Sequence, residues 1–412
     1  MLIAALSASV FASPSVPLSE YRERRESVRK TLPNAVTILF GAREDERGDL
    51  RSAFFQKPDF YYLTGWTEPG AILVLLPDRD VLFLPQRSAE VEKWTGRKAA
   101  PGDPDIAERT GFEHVAAAET FESKLPELVA AAPKIYTVEN DAASASLRTL
   151  LPLREIGNAS PAIARLRMKK SPAEIAMIQH STDATIDAHR AAWKRIEAGL
   201  YEYQIASVMS AVYSERGCER HAYPPIVGSG PTGVVLHYSR NKRRIDNGEL
   251  VLMDVGAECS YYASDLTRTV PVNGKFTARQ RELYDIVLGA QKAAIAAAKP
   301  GATLGKATPN SLYKVAFDYL NSHGKDKKGE PLGQYFTHGI GHHVGLEVHD
   351  ANDPALPLAP GMVITIEPGL YIPEEGIGIR IEDLILITEN GAKVLSSTLP
   401  RAAQQIERAL AR

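Results

Sequence analysis

The sequence has little cysteine, no marked excess of charge and no long hydrophobic run. Its 412 residues include only two cysteines, Cys218 and Cys259, which form no CxxC motif and are too few for a disulfide framework. The formal net charge is −2 and no basic stripe is present, so we expect no nucleic-acid partner. No apolar run approaches the roughly 18 residues of a membrane span, so we expect no membrane partner.

The N-terminal segment, residues 1–19, carries no charged side chain and begins with small and apolar residues. Residues 2–12 followed by Ser13 and Pro14 resemble a signal-peptide core with its cleavage site, although the usual basic residues before the core are missing. The alternative is a frayed N-terminus. We therefore expect a periplasmic or secreted protein if residues 1–13 are a truncated signal peptide, and a cytoplasmic protein otherwise.

The length predicts two domains, because 412 residues exceed the size of one ordinary domain. An apolar content of 44% and a charged content of 24% are typical of a globular protein. We predict a mixed α/β N-terminal domain over residues 20–164 and a second domain over residues 165–412. In the first domain, runs rich in β-branched and aromatic residues predict strands, and residues 71–84 predict a hairpin with a polar turn. The predicted single strands are residues 36–40, 60–64 and 135–138.

The second domain contains a pattern that occurs twice. Ser171 and Thr277 each begin a capping box, in which a Glu or Gln follows three residues later, and each precedes an apolar helical pattern. A second helix in each half ends at a glycine, Gly217 or Gly324, which suits the left-handed position after a helix. Acids at strand ends follow in both halves. We therefore predict a duplicated unit whose two halves pack about a pseudo-twofold axis.

Four of these acids are expected to meet at the centre of the domain: Asp254, Asp265, Glu367 and Glu382. Buried carboxylates that converge repel one another and raise one another's pKa values. Two divalent cations would balance the four negative charges, and a water bridging them would lose a proton easily and act as a nucleophile. Residues 377–387 alternate in polarity, so we predict one strand with Arg380 and Glu382 on the same face.

Residues 338–350 contain four of the chain's ten histidines, His338, His342, His343 and His349, among glycines. One imidazole joined to four carboxylates makes an oxygen-rich metal site, and the other histidines remain for proton transfer and substrate binding. Because His343 directly follows His342, we expect its side chain to point elsewhere and to have a structural role.

Residues 223–384 resemble the catalytic domain of aminopeptidase P and prolidase, members of the pita-bread superfamily. The segments that carry the resemblance are residues 226–238, 254–276, 338–350, 367–371 and 378–383. Residues 59–65 and 94–97 also resemble the N-terminal domain of aminopeptidase P. The resemblance therefore covers most of the chain. It implies an α/β (α+β) protein with an aminopeptidase-P-like first domain and a pita-bread second domain.

The resemblance also implies roles for particular residues. The metal ligands would be Asp254, Asp265, His342, Glu367 and Glu382, of which Asp265 and Glu382 would bridge the two metals. The residues lining the substrate site would be His237, His338, His349 and Arg380. The family most often uses manganese, which suits four oxygen donors and one nitrogen donor, and zinc or cobalt are alternatives.

The implied reaction is metal-dependent hydrolysis of the Xaa-Pro bond at a free N-terminus, on peptides with proline in the second position. An Xaa-Pro dipeptidase of the prolidase type shares every motif and remains an alternative. A methionine aminopeptidase fits less well, because that branch usually lacks the N-terminal domain. A non-catalytic binding module would usually lose ligands, and none is lost in this sequence. Relatives assemble as dimers or tetramers, so a homo-oligomer is expected.

Overall fold

The computed structural model describes most of the chain, namely residues 14–44, 54–139 and 142–411. The predicted signal segment, residues 1–13, lies outside the described residues. Within the described ranges, no helix combines the length and apolar character needed to cross a membrane. Contacts divide the chain into two compact units, an N-terminal unit of Val16–Met168 with Ala351–Asp353 and a C-terminal unit of Lys169–Asp350 with Pro354–Arg412.

The N-terminal unit contains one six-stranded mixed sheet flanked by helices. The sheet order is β4-β3-β2-β1-β5-β6, with antiparallel pairing among β1, β2 and β3 and parallel pairing in the other neighbours. Its elements are α1 (Leu18–Thr31), β1 (Ala35–Phe40), α2 (Pro58–Thr64), β2 (Ile72–Leu75), β3 (Asp80–Leu84), α3 (Ala89–Thr95), α4 (Ile106–Thr110), β4 (His114–Ala117), α5 (Phe121–Val129), β5 (Lys134–Thr137), α6 (Ala142–Leu150), β6 (Ile156–Asn158) and α7 (Ser160–Met168).

One face of this sheet packs on α5. Val36, Ile38 and Phe40 alternate along β1 and belong to the same buried cluster as Phe121 and Leu125 of α5. The rings of Phe40 and Phe121 meet edge to face with their centroids 5.7 Å apart, an arrangement that aromatic pairs favour. The predicted hairpin is confirmed, since β2 and β3 pair antiparallel.

The predicted strand at residues 60–64 is wrong, because this segment is the C-terminal part of helix α2. Pro58 occupies the first turn of the helix, where its missing N–H costs nothing. Gly65 follows the helix with φ +67°, the left-handed conformation that ends many helices. The aromatic residues suggested a strand, but the proline and glycine at the two ends determine the local structure.

The C-terminal unit contains two pairs of helices and four small sheets. The sheets are β11-β10-β7, β12-β9-β8, β13-β16-β17 and the pair β14-β15. The elements are α8 (Pro172–Arg195), α9 (Glu202–Glu215), β7 (Arg220–His221), β8 (Ile226–Ser229), β9 (Leu250–Val255), β10 (Ala257–Cys259), β11 (Tyr262–Ala263), β12 (Leu266–Pro271), α10 (Ala278–Ala297), α11 (Leu312–His323), β13 (Val363–Ile366), β14 (Gly369–Ile372), β15 (Ile377–Arg380), β16 (Asp383–Thr388), β17 (Gly391–Val394) and α12 (Ala403–Leu410).

The two halves of this unit follow the same plan, as the sequence predicts. In the first, α8 packs on α9 and the antiparallel sheet β12-β9-β8 follows. In the second, α10 packs on α11 and the antiparallel sheet β13-β16-β17 follows. Both capping boxes are present, at Ser171 with Glu174 and at Thr277 with Gln280.

The two helix-ending glycines differ. Gly217 follows α9 with φ +74°, as predicted. Gly324 follows α11 with an extended φ of −167°, so the prediction of a left-handed glycine there is wrong. A side chain at Gly324 would meet Ile286 and Leu332 within 2.7 Å, so the glycine serves close packing rather than a left-handed turn.

The predicted continuous strand at residues 377–387 is wrong, because it is broken between β15 and β16. β15 pairs with β14, whereas β16 pairs with β13 and β17. At the break, the Glu382 N–H donates to the backbone carbonyl of Thr267 at 3.1 Å. The break therefore places Glu382 between two sheets, next to β12.

Cys218 and Cys259 form a disulfide with a Cα–Cα distance of 4.2 Å. Cys218 lies just after α9 and Cys259 is the last residue of β10. No pattern in the sequence predicted this pairing, because it depends on the tertiary placement of β10 beside the end of α9.

Candidate metal centre

All nine residues that the sequence singles out line one cavity of about 470 Å³ in the C-terminal unit, here called the acidic cavity. They are His237, Asp254, Asp265, His338, His342, His349, Glu367, Arg380 and Glu382. Apolar residues complete the wall, including Ile226, Leu236 and Val348. The structure therefore brings together residues that lie up to 145 positions apart in the chain.

Strand ends bring the four carboxylates into the cavity. Asp254 lies on β9, and Asp265 directly precedes β12, which pairs antiparallel with β9. Glu367 directly follows β13 and Glu382 directly precedes β16, its antiparallel partner. Each antiparallel pair thus presents one acid from each of its two strands, and the duplication supplies the second pair.

A group of three residues, Asp265, His342 and Glu382, offers donor atoms that all lie within 4.8 Å of one another. The His342 Nε2 atom lies 3.4 Å from Asp265 Oδ2 and 3.5 Å from Glu367 Oε1. Its other ring nitrogen, Nδ1, lies 3.1 Å from the backbone oxygen of His343, which can only accept. That bond keeps a proton on Nδ1 and turns Nε2 toward the acids, so the neutral ring would offer its Nε2 lone pair to a metal, the usual arrangement of a metal-binding histidine.

Two threonines hold the acids of the second half. The Thr267 hydroxyl donates to Glu382 Oε2 at 2.6 Å. The Thr365 hydroxyl donates to Glu367 Oε1 at 3.1 Å, and its oxygen accepts from the His342 backbone N–H at 3.0 Å. These bonds fix the carboxylate orientations before any ligand binds, which lowers the cost of organising the site.

Arg380 lies on the wall of the cavity and is fully enclosed by polar partners. Its guanidinium pairs with Asp254, donates to the Tyr371 hydroxyl at 2.7 Å and donates to the Thr267 hydroxyl oxygen at 3.2 Å. The His338 Nε2 atom lies 2.8 Å from the Tyr371 hydroxyl. Tyr371 therefore links Arg380 to His338.

Tyr223 is a site residue that the sequence did not single out. Its hydroxyl oxygen lies 2.5 Å from the Oδ1 atoms of both Asp254 and Asp265. Burial and the negative charge of these two acids raise the pKa of Tyr223 well above its ordinary value, so the phenol keeps its proton. No spacing or motif around Tyr223 indicates this role, because the contact arises only when β9 and β12 pair beside it.

The electrostatics show more buried carboxylates than nearby positive charges can balance. Burial, with contributions from neighbouring acids, raises the pKa of Glu367 to about 7, raises the pKa of Asp265 and raises that of Glu382 well above its ordinary value. Burial alone would lower the pKa of His342, but its hydrogen bond and attraction to Asp265 outweigh burial and raise this pKa to about 9. Divalent cations would satisfy the same acids, so the donor set fits a metal centre.

The other two histidines of this segment that line the cavity, His338 and His349, have the opposite character. Burial and the positive charge of Arg380 lower the pKa of His338 to about 3. Burial and the charges of His342 and His237 lower the pKa of His349 to about 4. Both imidazoles are therefore neutral at neutral pH. The ring of His349 lies 4.0 Å from that of His342, centroid to centroid.

His343 does not line the acidic cavity. It is buried, and its Nδ1 atom has no hydrogen-bond partner in the described part of the chain. This placement agrees with the expectation that its side chain points away from that of His342.

Comparisons with known proteins match both units. The model of metallopeptidase family M24 matches residues 176–389, and the model of the aminopeptidase P N-terminal domain matches residues 21–136. The chain is 34% identical to the Xaa-Pro aminopeptidase of Escherichia coli, over 94% of this chain and 96% of that protein. It is also 34% identical to human Xaa-Pro aminopeptidase 3, over 96% of this chain and 86% of that protein.

Solved structures show the same fold. Aminopeptidase PepP from Pseudomonas aeruginosa superimposes with a TM-score of 0.88 at 28% identity, covering 96% of this chain and 98% of that one. Aminopeptidase P from E. coli with the inhibitor Pro-Leu gives a TM-score of 0.85 at 30% identity, with the same coverage. Together with the donor group of Asp265, His342 and Glu382, these matches indicate divalent-metal use, and the chain belongs to metallopeptidase family M24.

Proposed function

We propose that this protein is an Xaa-Pro aminopeptidase, which removes the N-terminal residue from peptides with proline in the second position. The observation that carries the proposal is the complete donor set in one cavity, four carboxylates and one oriented imidazole, beside two neutral histidines. Similarity over nearly the full length to proteins named Xaa-Pro aminopeptidase supports the substrate class.

We propose that two divalent cations, both manganese, are held by five residues: Asp254, Asp265, His342, Glu367 and Glu382. Four carboxylates balance the charge of two such ions, and oxygen donors with one imidazole suit manganese, with zinc and cobalt as alternatives. When bound, the metal would polarise the scissile carbonyl and lower the pKa of water. Elemental analysis of protein purified without added metal, followed by reconstitution with each ion, tests both the number and the identity.

The chain's own groups have distinct tasks in this reaction. The Nδ1–H of His338 donates to the backbone oxygen of Gly339 at 2.8 Å. In the neutral ring Nε2 therefore carries no proton, and it accepts a hydrogen bond from the Tyr371 hydroxyl. His349 is neutral and its ring is exposed in the cavity, so it can donate a hydrogen bond to the substrate carbonyl oxygen as negative charge develops there. His237 lines the same cavity, where it can take part in proton transfer to the leaving proline nitrogen.

The wall of the cavity suits a proline ring. Ile226, Leu236 and Val348 form apolar surface beside the polar groups. A pyrrolidine ring presents only apolar atoms apart from its nitrogen, which carries no hydrogen in the peptide and so needs no acceptor. This wall therefore accepts proline without leaving a buried polar group unpaired.

A peptide panel tests the proposal. It contains Xaa-Pro-Yaa peptides, bare Xaa-Pro dipeptides, Xaa-Ala-Yaa controls and N-acetylated Xaa-Pro-Yaa peptides, each assayed with added manganese. We expect cleavage of the first group at higher kcat/KM than the dipeptides, and no cleavage of the acetylated peptides. Cleavage restricted to dipeptides would assign the protein to the prolidase type, and no cleavage of any member would favour a binding module.

We propose further that the enzyme is a homo-oligomer, a dimer or a tetramer, as the resemblance to aminopeptidase P implies. Light scattering coupled to size-exclusion chromatography tests this directly. A monomer at assay concentration would contradict it without affecting the proposed reaction.

A further inference from the structure

A fully buried ion pair lies directly behind His349. The Lys170 ammonium lies 2.9 Å from Asp350 Oδ2, and the two side chains are only 1% and 2% exposed. Asp350 is the neighbour of His349 in the chain, but its side chain does not line the acidic cavity. His349 and Asp350 therefore point to different sides of the same backbone segment, one toward the cavity and the other toward Lys170.

Lys170 is itself held firmly. Its backbone N–H donates to the carbonyl of Gly361 at 2.8 Å, and Gly361 in turn donates to Ile387 of β16 at 2.9 Å. Lys170 directly precedes Ser171, which caps α8. The ammonium thus projects from a point fixed to both a sheet strand and the start of a long helix.

The segment that carries His349 is folded around this pair. The Asp350 N–H donates to the backbone carbonyl of His343 at 2.9 Å, which closes the base of residues 343–350. Gly345 leaves the space that the pair occupies, since a side chain there would meet Asp350 Oδ2 at 2.3 Å and Lys170 Cε at 3.0 Å. Any side chain at position 345 would displace the carboxylate that Lys170 holds.

We propose that Lys170 is a positioning residue that acts through Asp350 to hold His349 at the geometry required for the reaction. The inference rests on the role proposed above for His349. Removing the ammonium takes away the positive charge beside the buried Asp350 carboxylate, and a movement of this carboxylate shifts the Asp350 backbone and the adjacent His349. A displacement of about 1 Å in a catalytic group can lower the rate on the order of 100-fold.

A double-mutant comparison tests the path through His349. We expect Lys170→Met to lower kcat by about 10- to 100-fold, with KM nearly unchanged and metal content equal to wild type. In the His349→Ala background, the same substitution should lower kcat no further, because the group through which it acts is gone. An equal loss in both backgrounds, or loss of metal in Lys170→Met, would overturn the proposal.

Two further variants separate positioning from general destabilisation. Gly345→Ala keeps both charges but displaces the Asp350 carboxylate, so it should reproduce the loss of kcat. Arg25→Met breaks a largely buried ion pair in the N-terminal unit, where Arg25 Nε lies 2.6 Å from Asp80 Oδ2. It should lower the thermal unfolding temperature while kcat stays at the wild-type value. A similar fall in kcat for Arg25→Met would assign the effect to lost stability.

A spectroscopic measurement keeps the inference testable apart from activity. In protein labelled with nitrogen isotope at histidine, the imidazole signals of His349 are those absent from His349→Ala. They should shift in Lys170→Met, whereas those of the buried His189 should stay unchanged. If the peptide panel shows no activity but this shift is present, the proposed function fails and the positioning contact stands. Unshifted His349 signals would overturn the contact itself.

Discussion

Single histidines in the acidic cavity differ in what their ring nitrogens face, and this difference predicts separate phenotypes. His342 directs Nε2 at carboxylates, so His342→Ala should lose metal. His349 offers a neutral ring to the cavity, so His349→Ala should keep its metal and lose on the order of 10²–10³ in kcat, as is typical when one donor to a developing charge is removed. Metal analysis beside steady-state kinetics of both variants makes the comparison.

The reverse result would be informative. Should His349→Ala be metal-free while His342→Ala stays loaded, the ligand and the hydrogen-bond donor have been exchanged in the present assignment.

Two hydrogen bonds to Thr267 hold Glu382. The Thr267 hydroxyl donates to the Glu382 carboxylate, and the Glu382 backbone N–H donates to the Thr267 carbonyl, so the carboxylate is oriented without help from a metal. We expect Glu382→Ala to lose at least one metal ion and nearly all activity while its circular dichroism spectrum stays that of the wild type. Glu375→Ala is a suitable control, because this acid pairs with Arg279 and lies outside the cavity lining. An active Glu382→Ala with full metal content would exclude Glu382 as a ligand.

The raised pKa values in the metal-free site predict that metal binding releases protons. Glu367, with a pKa of about 7, and His342, with a pKa of about 9, hold protons at lower pH that a cation must displace. Proton release should therefore be larger at about pH 6 than at about pH 10, where both groups have already lost their protons. Calorimetric titration in buffers of different ionisation enthalpy measures this number. Equal release at both pH values would contradict the electrostatic description.

At the scale of elements, turn and capping residues predicted the helix starts and the hairpin correctly. The prediction failed where a hydrogen bond to a strand distant in the sequence determines the backbone conformation. The hairpin of β2 and β3 and the helix starts at Ser171 and Thr277 follow from turn and capping residues within a few positions. The break at Glu382 was not predictable, because it depends on a hydrogen bond to Thr267, more than a hundred residues away. The aromatic content of residues 60–64 favours a strand, but Pro58 and Gly65 at the two ends determine a helix.

The cap of α8 gives a prediction at this scale. Ser171 Oγ accepts from the Glu174 N–H at 3.1 Å, and the Glu174 carboxylate accepts from the Ser171 N–H at 3.1 Å. Ser171→Ala should lower the free energy of unfolding of the C-terminal unit by about 1 kcal/mol. Ser214→Ala, at an exposed serine within α9 of the same unit, is the control and should change it by much less. Denaturant titration of both variants provides the measurement, and equal losses would contradict a special role for the cap.

At the scale of the whole molecule, the site is a product of duplication, and this explains what sequence reasoning could reach. The four acids lie at strand ends whose order repeats in the two halves, so their convergence could be predicted without coordinates, whereas the places of His237, His349 and Arg380 were predicted from the resemblance to aminopeptidase P. Tyr223, Thr267 and Thr365 could not be found in this way, because a lone hydroxyl in a strand or loop has no distinguishing pattern. Their partners become visible only when strands from both halves are adjacent.

The disulfide turns part of this site into a covalent ring. Residues 218–259 form a closed loop that contains Tyr223, His237 and Asp254. A loop of this length constrains the unfolded chain enough to contribute about 3–4 kcal/mol to stability in the chain-entropy model. Because the disulfide joins the two ends of this loop, a protease that cuts once inside it cannot release either piece. The cut chain should migrate as a single full-mass band on a non-reducing gel and separate into two bands only after a thiol is added.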